Sequence, residues 1–445
     1  MSGEGGSIRQ IAYLAGLAIV FIAIRPFQNL QILTSLPATI YTVIIWCAIS
    51  IIWSIAPDIS VRRLFLTVTV IWIVFKSVEH NGYEQVLNTV CYACVALLIA
   101  NYIAIATSSA AYHHEGDMLG DPGLSGSWRG VLPHKNGTGP LCAYTIMLLM
   151  FGFGRFKLFW RLVLIAAAAF FLVKTQSKTS ISLSLVGLAC GRLFMFYNPR
   201  YRIVLIPLSI LALAGLEYAW FEYLPGYLDQ LASSTDAFTG RIQIWRVMAA
   251  YLKDHPYFGT GFGAFWNVPS GPVGLYASSG WIKDQVAEGH NGYLDIWTQI
   301  GLVGLVLSVF AVFVVPISKL LFSLHAPRTA GGLQICVLVF AIGHNFTESS
   351  LFATDQFMQV VILLAVACTE NMRKAVPVRK TQRSRQQASD ATPGAVVTPD
   401  MPVQSPLAEV PVPTASAEPR PAEKTFSSIV SMGGSTFRYG KNSRL

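Results

Sequence analysis

Two stretches decide the reading of this chain: TGRIQIWRVMAAYLKDHPYFGTGFGAFW, residues 239–266, and EGHNGYLDIWTQIGLVGLVL, residues 288–307. A polar, glycine-rich, aromatic segment leads into His290-Asn291, and an apolar helix begins directly behind it. Long apolar runs lie on both sides. The segment between the two stretches therefore belongs at a membrane surface, and the rest of the chain reads as scaffold that holds a few cations against it.

Composition supports a polytopic membrane protein. The 445 residues are 53% hydrophobic and only 12% charged, with mean hydropathy +0.50, whereas a soluble domain carries roughly 25% charged residues. The net charge of +9 sits mainly at the end: from Arg373 onward eleven Lys and Arg face five acids, a surplus of six. The remaining body is nearly neutral, so the basic balance is no sign of nucleic-acid binding.

A spanning helix needs about 20 apolar residues. Candidates are 8–24, 37–55, 61–78, 86–107, 138–154, 156–174, 179–197, 201–220, 291–315, 331–346 and 354–370, giving about 11–12 spans with 26–36 as the possible twelfth. Basic residues cluster at 155–161, 192–202, 319–328 and in the tail, which assigns those turns to the cytoplasmic side. The opposite face then receives 108–137, the KTQSK turn, a large loop of about 218–290, and HNFTESS at 344–350. Arg62-Arg63 falls on the wrong side of this scheme. Residues 373–445 are Pro-, Ser- and Ala-rich with few large apolar side chains, and they read as a disordered basic cytoplasmic tail.

All seven cysteines fall inside apolar runs. Cys91-x-x-Cys94 has no partner pair or histidine at ligand spacing, so packing is expected rather than a disulfide or a metal.

Chemistry concentrates on the outer face. His134-Lys135-Asn136 stands where a helix begins, which suits phosphate or sugar hydroxyls; a helix cap with a snorkelling lysine is the alternative. Lys178 sits in a polar turn between apolar runs, where charge is a functional candidate by default. Arg241 opens an amphipathic helix and adds charge to unpaired amides there, or else stacks on Trp245 one turn along. His290 at a helix start is a cap or a catalyst.

The ordered set HKN (134–136), Ser-Lys-Thr (177–179), TGRIQIW (239–245), GTGFGAFW (259–266) and HN-x9-G-x-x-G (290–304) resembles the O-antigen ligase/polymerase family, in its Wzy-type, ExoQ-like exopolysaccharide branch. The resemblance implies an all-α GT-C-type glycosyltransferase fold over residues 1–372. It also implies a metal- and cofactor-independent transfer of an undecaprenyl-diphosphate-linked oligosaccharide onto a sugar hydroxyl, at the periplasmic face of the bacterial inner membrane. Carried over residue by residue, it makes Arg241 and His290 catalytic, and Lys178 stands where many members have Arg. His134, Lys135, Asn136, Trp245, Glu288, Asn291 and Glu348 are the expected substrate-binding residues, with Glu288 and Glu348 as alternative bases. Partners are then the lipid-linked glycan, the growing polysaccharide, the bilayer, and flippase and chain-length or export proteins. The rival readings are an O-antigen ligase or protein O-oligosaccharyltransferase of the same fold, or a flippase for the same glycan.

Overall fold

The computed structural model describes residues 14–22, 36–113, 125–204, 207, 211, 241–269, 271–324, 326–353 and 356–390. Among these the fold is all-helical, with one isolated bridge between Tyr112 and Trp128 and no strand. In chain order the helices are α1 (14–22), α2 (Ala38–Ile49), α3 (Pro57–Asn81), α4 (Tyr83–Thr107), α5 (Lys135–Met150), α6 (Leu158–Lys174) and α7 (Lys178–Phe196). Then follow α8 (Arg241–Asp254), the short α9 (Pro272–Tyr276) and α10 (Gly280–Gln285), α11 (Gly292–Val309), α12 (Val315–Phe322), α13 (Arg328–His344) and α14 (Phe357–Asp390). A π-helical turn, Phe310–Val314, joins α11 to α12.

The described helices meet the expected apolar stretches. Tyr83–Thr107, Lys178–Phe196 and the continuous Gly292–Phe322 are long and apolar enough to cross a membrane, and Ala38–Trp53 and Arg328–His344 are shorter apolar helices. This is an all-α membrane protein. Most of the expected span 201–220 lies outside the described residues. Helix α14 runs on through the basic segment to Asp390, past the 373 boundary expected for the tail, and residues 391–445 also lie outside. Cys91 and Cys94 are buried packing residues on α4.

Two close backbone approaches set the architecture. The first joins α7 to α13. A Cβ on Gly191 would lie 2.5 Å from the Gly332 carbonyl oxygen, and one on Gly187 2.7 Å from that of Cys336. Small residues let membrane helices approach at backbone distance. This crossing puts the start of α7 beside the turn that follows α13.

The second is a broken helix. Gly301 interrupts α11 with φ 73° and ψ 179°, so the preceding carbonyls lose their helical donors. Each is satisfied from outside: Thr298 O by Thr260 N–H (2.9 Å), Gln299 O by Gly261 N–H (2.8 Å), and Ile300 O by the Trp46 indole (2.9 Å). In return Leu302 N–H and the Trp297 indole donate to Pro256 O. The 256–261 segment thus fills the break, as irregular backbone within a membrane protein must be satisfied by protein.

Residues 241–286 build a second apolar cluster of their own. The face of α8 made by Ile244, Val247, Met248, Tyr251 and Leu252 packs with Phe265, Trp266, Val273, Ala277 and Ile282. The misplaced Arg63 finds its explanation here. Its Nη1 donates to the carbonyls of Gly263 and Trp266, so it pins the GTGFGAFW loop onto the start of α3.

Candidate active site

The turn after α13, Asn345–Ser350, is where the sequence-predicted residues meet. Arg241 Nη1 donates to Thr347 O, and Arg241 Nη2 lies 2.5 Å from Glu348 Oε1. The other oxygen of that carboxylate is 3.3 Å from His290 Nδ1, and Glu288 Oε1 is 3.4 Å from the same nitrogen. Glu348 therefore holds the arginine and the histidine at once. The Arg241 guanidinium is turned to the 347–348 turn, a pairing that neither the anion-site nor the Trp245-stacking reading included.

The surrounding bonds fix these side chains. Gly292 N–H donates to Asn345 O and Glu348 O, and Asn291 N–H to Ser349 Oγ. Asn291 is the cap of α11, its side chain accepting from Tyr293 and Leu294 N–H and donating to Phe346 O. His290 itself has φ 48°, a left-handed conformation that costs a non-glycine residue energy and persists only where the surroundings impose it. Trp245 donates from its indole to Gly289 O (3.0 Å), which makes it a strut for the loop carrying His290. Gln356 Nε2 donates to Glu288.

The acid that anchors the assembly was not anticipated. Asp295, buried on the first turns of α11, accepts from the Trp266 indole (2.6 Å), Gly289 N–H and Ser349 Oγ. It ties three segments that are far apart in sequence. Its signal was legible as a lone carboxylate inside an apolar helix, which is rarely placed there without a role.

His134 caps α5, its Nδ1 accepting from Asn136 N–H at 3.1 Å, while Lys135 N–H donates to His113 Nε2. Burial, with His113 adding to it, pushes the His134 imidazole down to about 4, and the Glu348 charge pulls the other way while His290 adds to the fall. It stays neutral and shares the electrostatic environment of the site. Lys178 is exposed at the first residue of α7 and makes no hydrogen bond or ion pair among the described residues. Its neighbour Thr179 touches Thr347, with hydroxyls 3.4 Å apart.

The starts of α7, α8 and α11 thus meet one turn, and the start of α5, packed on α7 at Ser177, couples to it electrostatically through His134. Each start is the positive end of a helix dipole, and Arg241 and Lys178 add formal positive charge beside them. Within this cluster the carboxyl groups diverge. Burial would raise Glu348, but the His290 hydrogen bond and the Arg241 charge hold it at about 2. Burial raises Glu288 to about 7, against the opposing pull of His290. For His290 burial favours the neutral ring, yet the Glu348 hydrogen bond and the charges of Glu348 and Glu288 outweigh it and raise its proton affinity. The two carboxylates thus move the ring towards the charged form and make it a stronger base once deprotonated.

Glu288, His290 and Glu348 also bring one ligand atom each within 4.8 Å of one another, a geometry that could hold a metal ion. The Arg241 guanidinium competes for the Glu348 carboxylate in that arrangement.

The fold defines an all-α membrane protein whose Arg241–Glu348–His290 cluster lies where the starts of α7, α8 and α11 meet the turn after α13. Residues 131–309 match the family model for O-antigen ligase, in agreement with the O-antigen ligase/polymerase family that the motifs resemble. The match runs from just before the α5 cap to the end of α11, so it contains His134–Asn136, Lys178, Arg241 and His290 but not Glu348. It supports a polysaccharide ligase- or polymerase-like enzyme. No curated protein matches the chain.

Proposed function

We propose that the chain is a polysaccharide polymerase of the inner membrane. It moves an oligosaccharide from undecaprenyl diphosphate onto a sugar hydroxyl at the periplasmic face. The observation that carries this reading is the single carboxylate, Glu348, shared by Arg241 and His290.

The chemistry follows from that arrangement. The acceptor hydroxyl attacks the anomeric carbon, the bond from that carbon to the phosphate oxygen breaks, and the electron pair leaves with the lipid diphosphate. Negative charge grows on the departing oxygen. Lys178, exposed at the start of α7, the helix dipoles and Arg241 beside Glu348 supply the positive potential that such charge requires, and preorganised groups of this kind are usually the largest single contribution to catalysis. His290 takes the hydroxyl proton, with Glu348 on Nδ1 fixing the tautomer that leaves Nε2 free to accept. Glu348, held ionised between two cations, is a positioning residue, which leaves Glu288 as the alternative base.

Polymerase is distinguished from ligase by a deletion strain. Loss of the gene should leave single lipid-linked repeats and no long polymer. Long polymer accumulating on the lipid carrier would instead assign the chain as a ligase, and a normal product would remove the transferase reading altogether.

A further inference from the structure

Helix α8 has two functional ends. Arg241 opens it at the candidate active site. At the other end, about ten residues and hence about 15 Å along the helix, Tyr251 and His255 line a cavity of about 610 Å³. Trp53, Phe258, Leu275 and Tyr276 close its walls. The volume falls in the usual range for small-ligand sites, roughly 300–1,000 Å³.

The lining is aromatic with polar edges. Tyr251 packs edge-on against Tyr276 at 5.6 Å, and the Tyr276 hydroxyl donates to Asp254 at 2.6 Å. The Trp53 indole donates to Phe258 O at 3.0 Å, which fixes the orientation of that wall. Gly259 and Thr260 line the cavity beside the break in α11. Aromatic rings present flat apolar faces at low entropic cost and carry polar handles at their rims. The C–H faces of pyranose rings stack on such surfaces, while their hydroxyls find the tyrosine, threonine and histidine edges.

An isoprenoid chain fits less well. The walls come mainly from the 241–286 segment, which has its own apolar cluster, with Trp53 and Ile55 added from the 3-10 turn after α2 and the residues behind it.

We infer that this cavity is a carbohydrate subsite that grips glycan several sugars away from the bond being formed or broken. This rests on the glycosyl-transfer reading above. It gives that reading a length dependence: a short acceptor reaches only the active site, whereas a longer one also reaches the aromatic cavity and binds more tightly.

The test uses full-length protein in nanodiscs. The probe is a size-graded set of oligosaccharides from partial hydrolysis of the polysaccharide made by the producing cell. Binding to wild type should tighten by about tenfold between the shortest fragments and those long enough to span both sites. Tyr276→Ala should remove that gain and leave transfer to the shortest acceptor within about twofold of wild type, and Tyr276→Phe should keep most of it. Separate KM values for donor and acceptor say which glycan occupies the cavity. Length dependence that survives Tyr276→Ala overturns the inference, as does polyprenol binding in the cavity without any preference for longer glycan. Because glycan binding is read without turnover, an enzyme that transfers nothing would refute the transferase reading and still leave the subsite decided.

Discussion

Replacing Gly301 by Ala tests the architecture that presents the site. The backbone there has φ 73° and ψ 179°, a region used almost only by glycine, where another residue costs about 1–3 kcal/mol. The new methyl would lie 1.7 Å from the Tyr257 carbonyl oxygen and 2.2 Å from its carbon. Both are backbone atoms of the segment that fills the helix break, so no rotamer change relieves the clash. Moving that segment breaks bonds such as those to Pro256 O and from Thr260 and Gly261 N–H, each worth about 1 kcal/mol. The expected loss is about 3–6 kcal/mol, a large part of the 5–15 kcal/mol typical of folded proteins. Gly304→Ala is the control, because the three atoms nearest its methyl all belong to the Ile300 side chain rather than to backbone, and it should cost about 1–3 kcal/mol as simple overpacking. The assay is thermal unfolding in nanodiscs followed by tryptophan fluorescence, since Trp46 and Trp297 are bonded across the break. If Gly301→Ala is as stable as Gly304→Ala, the broken-helix account is wrong.

Three further outcomes follow from the same contacts. Arg63→Ala should free the Gly263 and Trp266 carbonyls, cost about 1–3 kcal/mol, and expose the 259–266 loop to limited proteolysis; unchanged cleavage would deny the anchor. Glu348→Gln should move the acid limb of the pH–rate profile to lower pH, because the carboxylate that raises His290 is gone. It should also flatten the stability profile in acid: Glu348, held at about 2, stabilises the fold above its ordinary value near 4.5 and loses that contribution as pH falls towards 2. An unshifted limb would mean that His290 does not titrate in the reaction. Lys178→Ala should weaken donor binding without lowering the melting temperature, since the side chain is exposed, and Lys178→Arg should be tolerated; a stability loss in either variant would mark Lys178 as structural.

What was legible in the sequence was what is local. Apolar runs located the helices, and the residues at helix starts, His134, Lys178, Arg241 and His290, were visible as charges beside apolar text. Assignments that depend on contacts across the chain were not. Asn291 and Trp245 read as substrate ligands, and their parts in capping α11 and bracing Gly289 show only in the fold. Arg63 contradicted the charge rule because its partners lie some two hundred residues on. Gly301 and Gly304 stand alike in the HN-x9-G-x-x-G motif, and only the backbone torsion separates a helix break from a helix face. The central part of Glu348 was equally hidden: nothing in HNFTESS says that one carboxylate faces both cations.

The most direct test of the central claim is reconstituted transfer with purified lipid-linked oligosaccharide, paired with a separate measurement of donor binding. His290→Ala should lower transfer by about 10²–10⁴-fold, the usual worth of a positioned base, with donor binding nearly unchanged. Arg241→Ala should lose donor binding, and Arg241→Lys should already be harmful because a point charge cannot form two parallel bonds to a phosphate. If His290→Ala abolishes donor binding while Arg241→Ala does not, the two roles are reversed; if both alanine variants transfer at the wild-type rate, the cluster around Glu348 is not the active site.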